Sequence, residues 1–214
     1  MNASHSSSQA VNYFAKELSW LSFNERVLQE AKDKSNPIIE RMRFLGIYSN
    51  NMDEFFRVRV ADVKRRILLN KIPDANFEED EILLHQIQSK VLQLGKKFNQ
   101  IHKDILNDLN EHNIHVELPE ELSEFHLSWL KKFFHDNVLQ HILPILLSEK
   151  KDYSDQINDT MTYLFVEMTN QKSHYAMMEV PTDRVSRFVI LPPEKTRRHK
   201  TIVMLDDIIA YFIR

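Results

Sequence analysis

Residues 17–67 read ELSWLSFNERVLQEAKDKSNPIIERMRFLGIYSNNMDEFFRVRVADVKRRI. Leu, Glu, Lys, Arg and Gln are frequent here, and apolar residues recur every three or four positions. That pattern predicts amphipathic helices. Ser22-Phe23-Asn24-Glu25 has the form of a capping box, with a helix carrying Phe23, Val27, Leu28 and Ala31 inward and stopping near Ser35. Asn36 is expected to cap the next helix, with Pro37 at its first position and Ile38, Met42 and Leu45 as its buried stripe. Ser49-Asn50-Asn51 is expected to break that helix. Asn51, with Glu54 three residues on, would then open another helix reaching about Asn70. Its stripe is Met52, Phe56, Val60, Val63 and Ile67, at steps of 4, 4, 3 and 4.

Outward from this stretch, Ile72-Pro73-Asp74 punctuates the chain. A longer helix follows from about Glu79 to Glu111, with Ile87, Val91, Leu94, Phe98, Ile101 and Ile105 on one face. At 1.5 Å per residue it spans roughly 45–50 Å. After Asn113 the pattern changes. Ser123 starts a helix with Leu127, Leu130, Phe134 and Val138 inward, and Pro144 interrupts the apolar run Ile142–Leu147. The period then switches to two. Thr160–Met168 and His174–Val180 read as a hairpin about Asn170-Gln171-Lys172, and Arg187–Leu191 and Thr201–Met204 as two further strands. Leu205, Ile208, Ile209 and Phe212 mark a final helix. The expected fold is mainly α with a second α+β domain. An N-terminal antiparallel helical bundle (16–113) follows a poorly ordered segment (1–15). It precedes a head domain (114–214) with a small, largely antiparallel sheet, incomplete at its C-terminal side.

Composition narrows the chemistry. The chain has 214 residues, two glycines, no cysteine and a formal net charge of −3. Gly46 and Gly95 lie too far apart for a P-loop or a dinucleotide-binding fingerprint. Without cysteine there are no disulfides, thiolate nucleophiles or Cys-zinc sites. No apolar run approaches the ~18–20 residues of a membrane span, and MNASHSSSQ lacks a signal peptide's apolar core. The cytoplasm is the expected compartment, the membrane periphery included.

Several groups invite a functional reading beside a structural one. The basic run Arg41, Arg43, Arg57, Arg59, Lys64, Arg65 and Arg66 is either a solvated face or a path for a phosphate-bearing ligand. Lys195, Arg197, Arg198, His199 and Lys200 form a second run. Asn51 is either a helix cap or a donor–acceptor pair for a base edge. His112 and His115, with Glu111 and Glu117 nearby, are the densest histidine group. Their spacing matches no metal motif, and surface histidines are the simpler reading. No catalytic centre is visible from spacing alone.

The 17–67 stretch, together with YAMMEVPTDRVSRFVILPP (175–193) and IVMLDDII (202–209), closely resembles the polyphosphate kinase family. The resemblance implies an enzyme that reversibly transfers the terminal phosphate of ATP to polyphosphate through a phosphohistidine. The phosphohistidine and the magnesium-linked arginines lie in C-terminal domains that this chain does not match. Its Ser49-Asn50-Asn51-Met52-Asp53-Glu54-Phe55 matches the family's SNN-x-DEF motif, which implies that Asn51 contacts ATP at the adenine end. Phe44 and Tyr48 are its possible apolar neighbours, and Gly46 is expected to serve close packing or a helix bend beside it. No catalytic residue and no metal ligand is assigned to this chain, and Mg2+ is expected for the whole enzyme. Implied partners are ATP or ADP, polyphosphate, the enzyme's own C-terminal domains and a second copy, as a homodimer or higher homo-oligomer. Nucleic acid is not among them. The Ile142–Leu147 run and the final helix are the candidate interfaces. The competing readings are a non-catalytic helical interaction module and a polyanion-binding domain.

Overall fold

The computed structural model describes residues 15–69, 77–148, 151–170 and 172–213. It is mainly helical and divides into two compact units, one up to Asp108 and one from Leu109.

In the first unit, α1 (Lys16–Lys32) and α2 (Ile38–Glu54) form an antiparallel hairpin. Contacts pair Trp20 with Phe55, Asn24 with Tyr48 and Asn51, and Ala31 with Arg41. α1 begins six residues before the expected capping box, so Ser22 lies inside the helix. Its hydroxyl donates to the Leu18 carbonyl, 3.0 Å away, and Phe23 is 61% exposed. The residues before Ser22 are themselves helix formers, and Leu21 belongs to the buried face, so the helix has no reason to start there. α2 also starts one residue later than expected. Pro37 flanks it, and the Asn36 amide instead donates to the Glu30 carbonyl at 3.0 Å.

Ser49-Asn50-Asn51 does not break α2. The chain stays helical from Ile38 to Leu69, through a π-helical turn (Phe55–Val60) into α3 (Ala61–Leu69). Asparagine costs a helix only some tenths of a kcal/mol, which packing overrides. The π-turn inserts one extra residue. The buried stripe is therefore Met52, Phe55, Val60 and Val63, and Phe56 is 44% exposed. Trp20 stacks on Phe55 with ring centroids 4.8 Å apart. The Ile72-Pro73-Asp74 stop lies outside the described residues.

α4 (Phe77–Glu111) buries Ile87, Leu94, Ile101 and Ile105. It is also pinned by ion pairs. Glu25 takes Lys90 at 2.5 Å and Lys97. Arg66 pairs with Asp80 at 2.8 Å and with Asp62 at 2.7 Å. Arg41, expected on a basic surface, is 3% exposed. It donates to the Ala31 carbonyl at 2.9 Å and to Asp108 at 2.6 Å.

The second unit holds β1 (Ile114–Val116), α5 (Glu124–Phe133), β2 (Ile145–Leu147), β3 (Tyr163–Asn170), β4 (Lys172–Glu179), β5 (Phe188–Ile190), β6 (Lys200–Met204) and α6 (Leu205–Phe212). Ser123 caps α5, accepting from the His126 amide. The strands form two three-stranded sheets, ordered β1-β6-β5 and β2-β4-β3. The β1–β6 pair is parallel and the others antiparallel. β1 and β2 have three residues each, too short to show a period of two. The Gln171 turn lies outside the described residues. Leu130, Phe134, Val138, Val203, Leu205, Ile208 and Ile209 form the core. The apolar face of α6 therefore lies inside this unit, and α6 is not the exposed interface helix expected. In the Ile142–Leu147 run, Leu143 and Leu146 are 77% and 66% exposed.

The π-turn makes two neighbouring phenylalanines unequal. Phe55→Ala should cost about 3–5 kcal/mol of unfolding free energy. Phe56→Ala should cost about 1 kcal/mol or less. Urea unfolding midpoints of the two variants check this, and a larger loss at Phe56 would restore the uninterrupted α-helical stripe.

Candidate functional site

Asn51 lies inside α2, half-buried, with no capping role. Its amide nitrogen donates to Asn24 Oδ1 at 2.9 Å. Asn24 is fully buried, and its own Nδ2 donates to the Tyr48 carbonyl at 3.3 Å. This chain of bonds fixes both amides. A carbonyl only accepts, so Asn24 must turn its NH2 to Tyr48 and its oxygen to Asn51. Asn51 must then present NH2 to Asn24. Among the described residues, Asn51 Oδ1 has no hydrogen-bond partner and Nδ2 makes one bond, so a second N–H remains. Asn51 therefore keeps one acceptor and one donor, the two kinds of group that an adenine edge also offers.

The neighbours separate clearly. Phe44, two turns before Asn51 on the same helix, is half-buried. Tyr48 is 5% exposed and stacks on Phe98 at 5.6 Å, so it contributes a carbonyl and core packing instead of a ligand face. Burial pushes its phenol upward, with the charge of Glu25 as the smaller cause. Gly46 is not a close approach: a Cβ there would meet nothing within 4 Å.

Asn24 is the residue that sequence reasoning missed. Leu21, Asn24, Leu28 and Ala31, at steps of 3, 4 and 3, are all buried. A polar amide on an apolar stripe was the available signal, and the capping-box reading obscured it.

The first basic run splits by function. Arg41 and Arg66 hold the helices together, and Arg43 pairs with Glu40 at 2.5 Å. Arg57 and Arg59, with Lys16 and Arg65, line a cavity of about 400 Å³ that also carries Glu17 and Asp62. Arg65 is paired with Asp62 at 2.6 Å, whereas Arg57 and Arg59 have no ion-pair partner among the described residues. Asn51 does not line this cavity.

In the second unit, the second basic run folds back on acidic groups. Arg197 binds Glu117 Oε2 at 2.6 Å, and His199 binds Glu117 Oε1 at 3.0 Å. The His115 and His199 rings stack with centroids 3.8 Å apart. Of the expected group, His115 and Glu117 come together, joined by His199, and His112 and Glu111 stay exposed outside it.

Beside Asn24, Glu25 is held below the usual carboxylate range, chiefly by its hydrogen bonds to Lys90 and Lys97.

This is an α-helical unit followed by a small α+β unit, with an anchored asparagine amide in the first. Comparison with known proteins gives the family. The model described as the polyphosphate kinase N-terminal domain matches residues 13–117, and that of the polyphosphate kinase middle domain matches residues 126–214. Polyphosphate kinase from Yersinia pestis is 48% identical over 200 residues, 93% of this chain and 29% of that protein. The Vibrio cholerae enzyme is 48% identical over 198 residues, 92% of this chain and 28% of its own. The crystal structure of polyphosphate kinase from Porphyromonas gingivalis superposes with a TM-score of 0.79 at 33% identity, covering 95% of this chain and 30% of that one. The chain belongs to the polyphosphate kinase family and spans less than a third of the length of these relatives.

The lowered Glu25 pKa has a testable sign. A depressed folded-state value stabilises the fold above the ordinary glutamate value of 4.5, and this contribution is lost as pH falls through the lower folded value. Glu25→Gln should lower the unfolding midpoint at pH 7. It should also flatten the loss of stability below about pH 4.5, by comparison with the parent chain in pH-dependent thermal melts.

Proposed function

We propose that this chain is the N-terminal and head portion of an ATP–polyphosphate phosphotransferase, with residues 16–113 and 114–214 as its two domains. Asn51 contacts the adenine end of ATP. The carrying observation is the fixed amide: Asn24 holds one N–H of Asn51, and the oxygen and second N–H remain for a base. A base read this way needs no glycine cradle, which suits a chain with two glycines. The phosphate chemistry, the phosphohistidine and the Mg2+ belong to the enzyme's C-terminal part. Polyphosphate, those C-terminal domains and a second copy of the enzyme are the partners. Exposed Leu143 and Leu146 are the candidate contact residues. The enzyme works in the cytoplasm. Among the described residues, no helix is long and apolar enough to cross a membrane.

Asn51→Ala, made in the full-length enzyme, tests the ligand role. Loss of the base contact should raise KM for ATP roughly tenfold, the worth of about one to two hydrogen bonds. KM for polyphosphate in the reverse direction should not move. A lowered melting temperature with unchanged KM would leave Asn51 as a tie between α1 and α2 alone. The purified 214-residue chain should make no polyphosphate from ATP and Mg2+, and measured synthesis would place the phosphate acceptor within these residues.

A further inference from the structure

We propose that His115, Glu117 and His199 form a binding site for a divalent transition metal of the zinc type, separate from the ATP site. The three donors come from the parallel β1–β6 pair. Register sets Ile114 opposite Lys200 and His115 opposite Thr201. His199 immediately precedes β6, and Glu117 immediately follows β1, its amide bonded to the Ile202 carbonyl. His115 and Glu117, two residues apart, lie on one face of the pair, and the side chains of Glu117 and His199 lean toward each other from its two ends to meet beside His115. One ligand atom from each residue lies within 4.8 Å of the other two.

The distances suit a small cation. Glu117 Oε1 is 3.0 Å from His199 Nε2 and 3.9 Å from His115 Nδ1. Tetrahedral zinc with bonds near 2.1 Å separates its ligands by about 3.4 Å, so coordination would draw the donors together and turn the stacked imidazoles out of parallel until both lone pairs converge on the ion. The N–H that now joins His199 to Glu117 is what the metal would replace. Two imidazoles and one carboxylate are a borderline-soft set, suited to zinc and poor for magnesium. A fourth position stays open to water, because His115 and His199 side chains are 31% and 21% exposed.

The surroundings also fit. Arg197 holds Glu117 Oε2, which aims Oε1 at the histidines, as outer-shell groups do in metal sites. The Arg197 charge is shared with Glu194, 3.5 Å away on its other side. A purely structural carboxylate pair would need only one histidine. A single divalent ion satisfies both rings and the carboxylate at once. It would clasp β1 and the residue that follows it to the segment entering β6.

Calorimetric titration of the chelator-treated whole chain with zinc chloride tests the site. One Zn2+ should bind per chain, and magnesium chloride at equal concentration should give no binding. His115→Ala and His199→Ala should each weaken zinc binding at least tenfold. In the unaltered chain, substoichiometric zinc should shift the imidazole resonances of His115 and His199 and leave the other eight histidines unmoved. Absence of zinc binding would overturn the proposal. So would binding retained within threefold in the double variant, or shifts confined to other histidines.

Discussion

The first unit depends on one buried carboxamide. Asn24 lies on the apolar face of α1 with no exposure, and an unsatisfied amide there would cost about 1–3 kcal/mol. It is satisfied at both ends, by the Tyr48 carbonyl and by Asn51. Sliding α1 along α2 by one turn would break both bonds, so Asn24 sets the register of the hairpin. The Trp20–Phe55 stack and the Arg41–Ala31 bond lie one to two turns away on either side and fit the same register. The bond that sets register also orients Asn51, which links packing directly to the proposed contact with a base.

Electrostatics then fixes the long helix on this hairpin. α4 presents Lys90 and Lys97 to Glu25, and Asp108 to buried Arg41. These partly buried pairs carry more consequence when broken than surface pairs do, because each leaves a charge without its partner. Much of the sequence's apparent basic character is spent internally in this way. Of the first basic run, Arg57 and Arg59 at the π-turn face a cavity without ion-pair partners among the described residues.

The helical class, the long α4, the Ser123 cap and strands β3 to β6 were legible from periodicity and capping chemistry. The errors share one physical origin. Capping signatures at Ser22 and Asn51 are local, and both occur inside helices whose ends are set by tertiary packing. The π-turn shifted the buried face by one residue, and a stripe of threes and fours cannot encode a step of five between Phe55 and Val60. β1 and β2 are held by partners distant in sequence, which three-residue strands cannot announce. The same reason hid His199, which joins His115 only through the β1–β6 register. Asn51 itself was reached by resemblance to a motif, and its geometry came only from the fold.

Family membership rests on nearly the whole chain, which spans less than a third of the length of its relatives. The division of labour is simple in physical terms. In the proposed reading, a helical unit would offer an anchored amide to the uncharged end of a nucleotide, and the highly charged end would be handled elsewhere. The most direct measurement is a structure of the full-length enzyme with a non-hydrolysable ATP analogue. The adenine edge should lie within hydrogen-bond distance of Asn51 Oδ1 and Nδ2, with the Asn24–Asn51 bond intact. An adenine bound with no atom in reach of Asn51 would contradict the central claim.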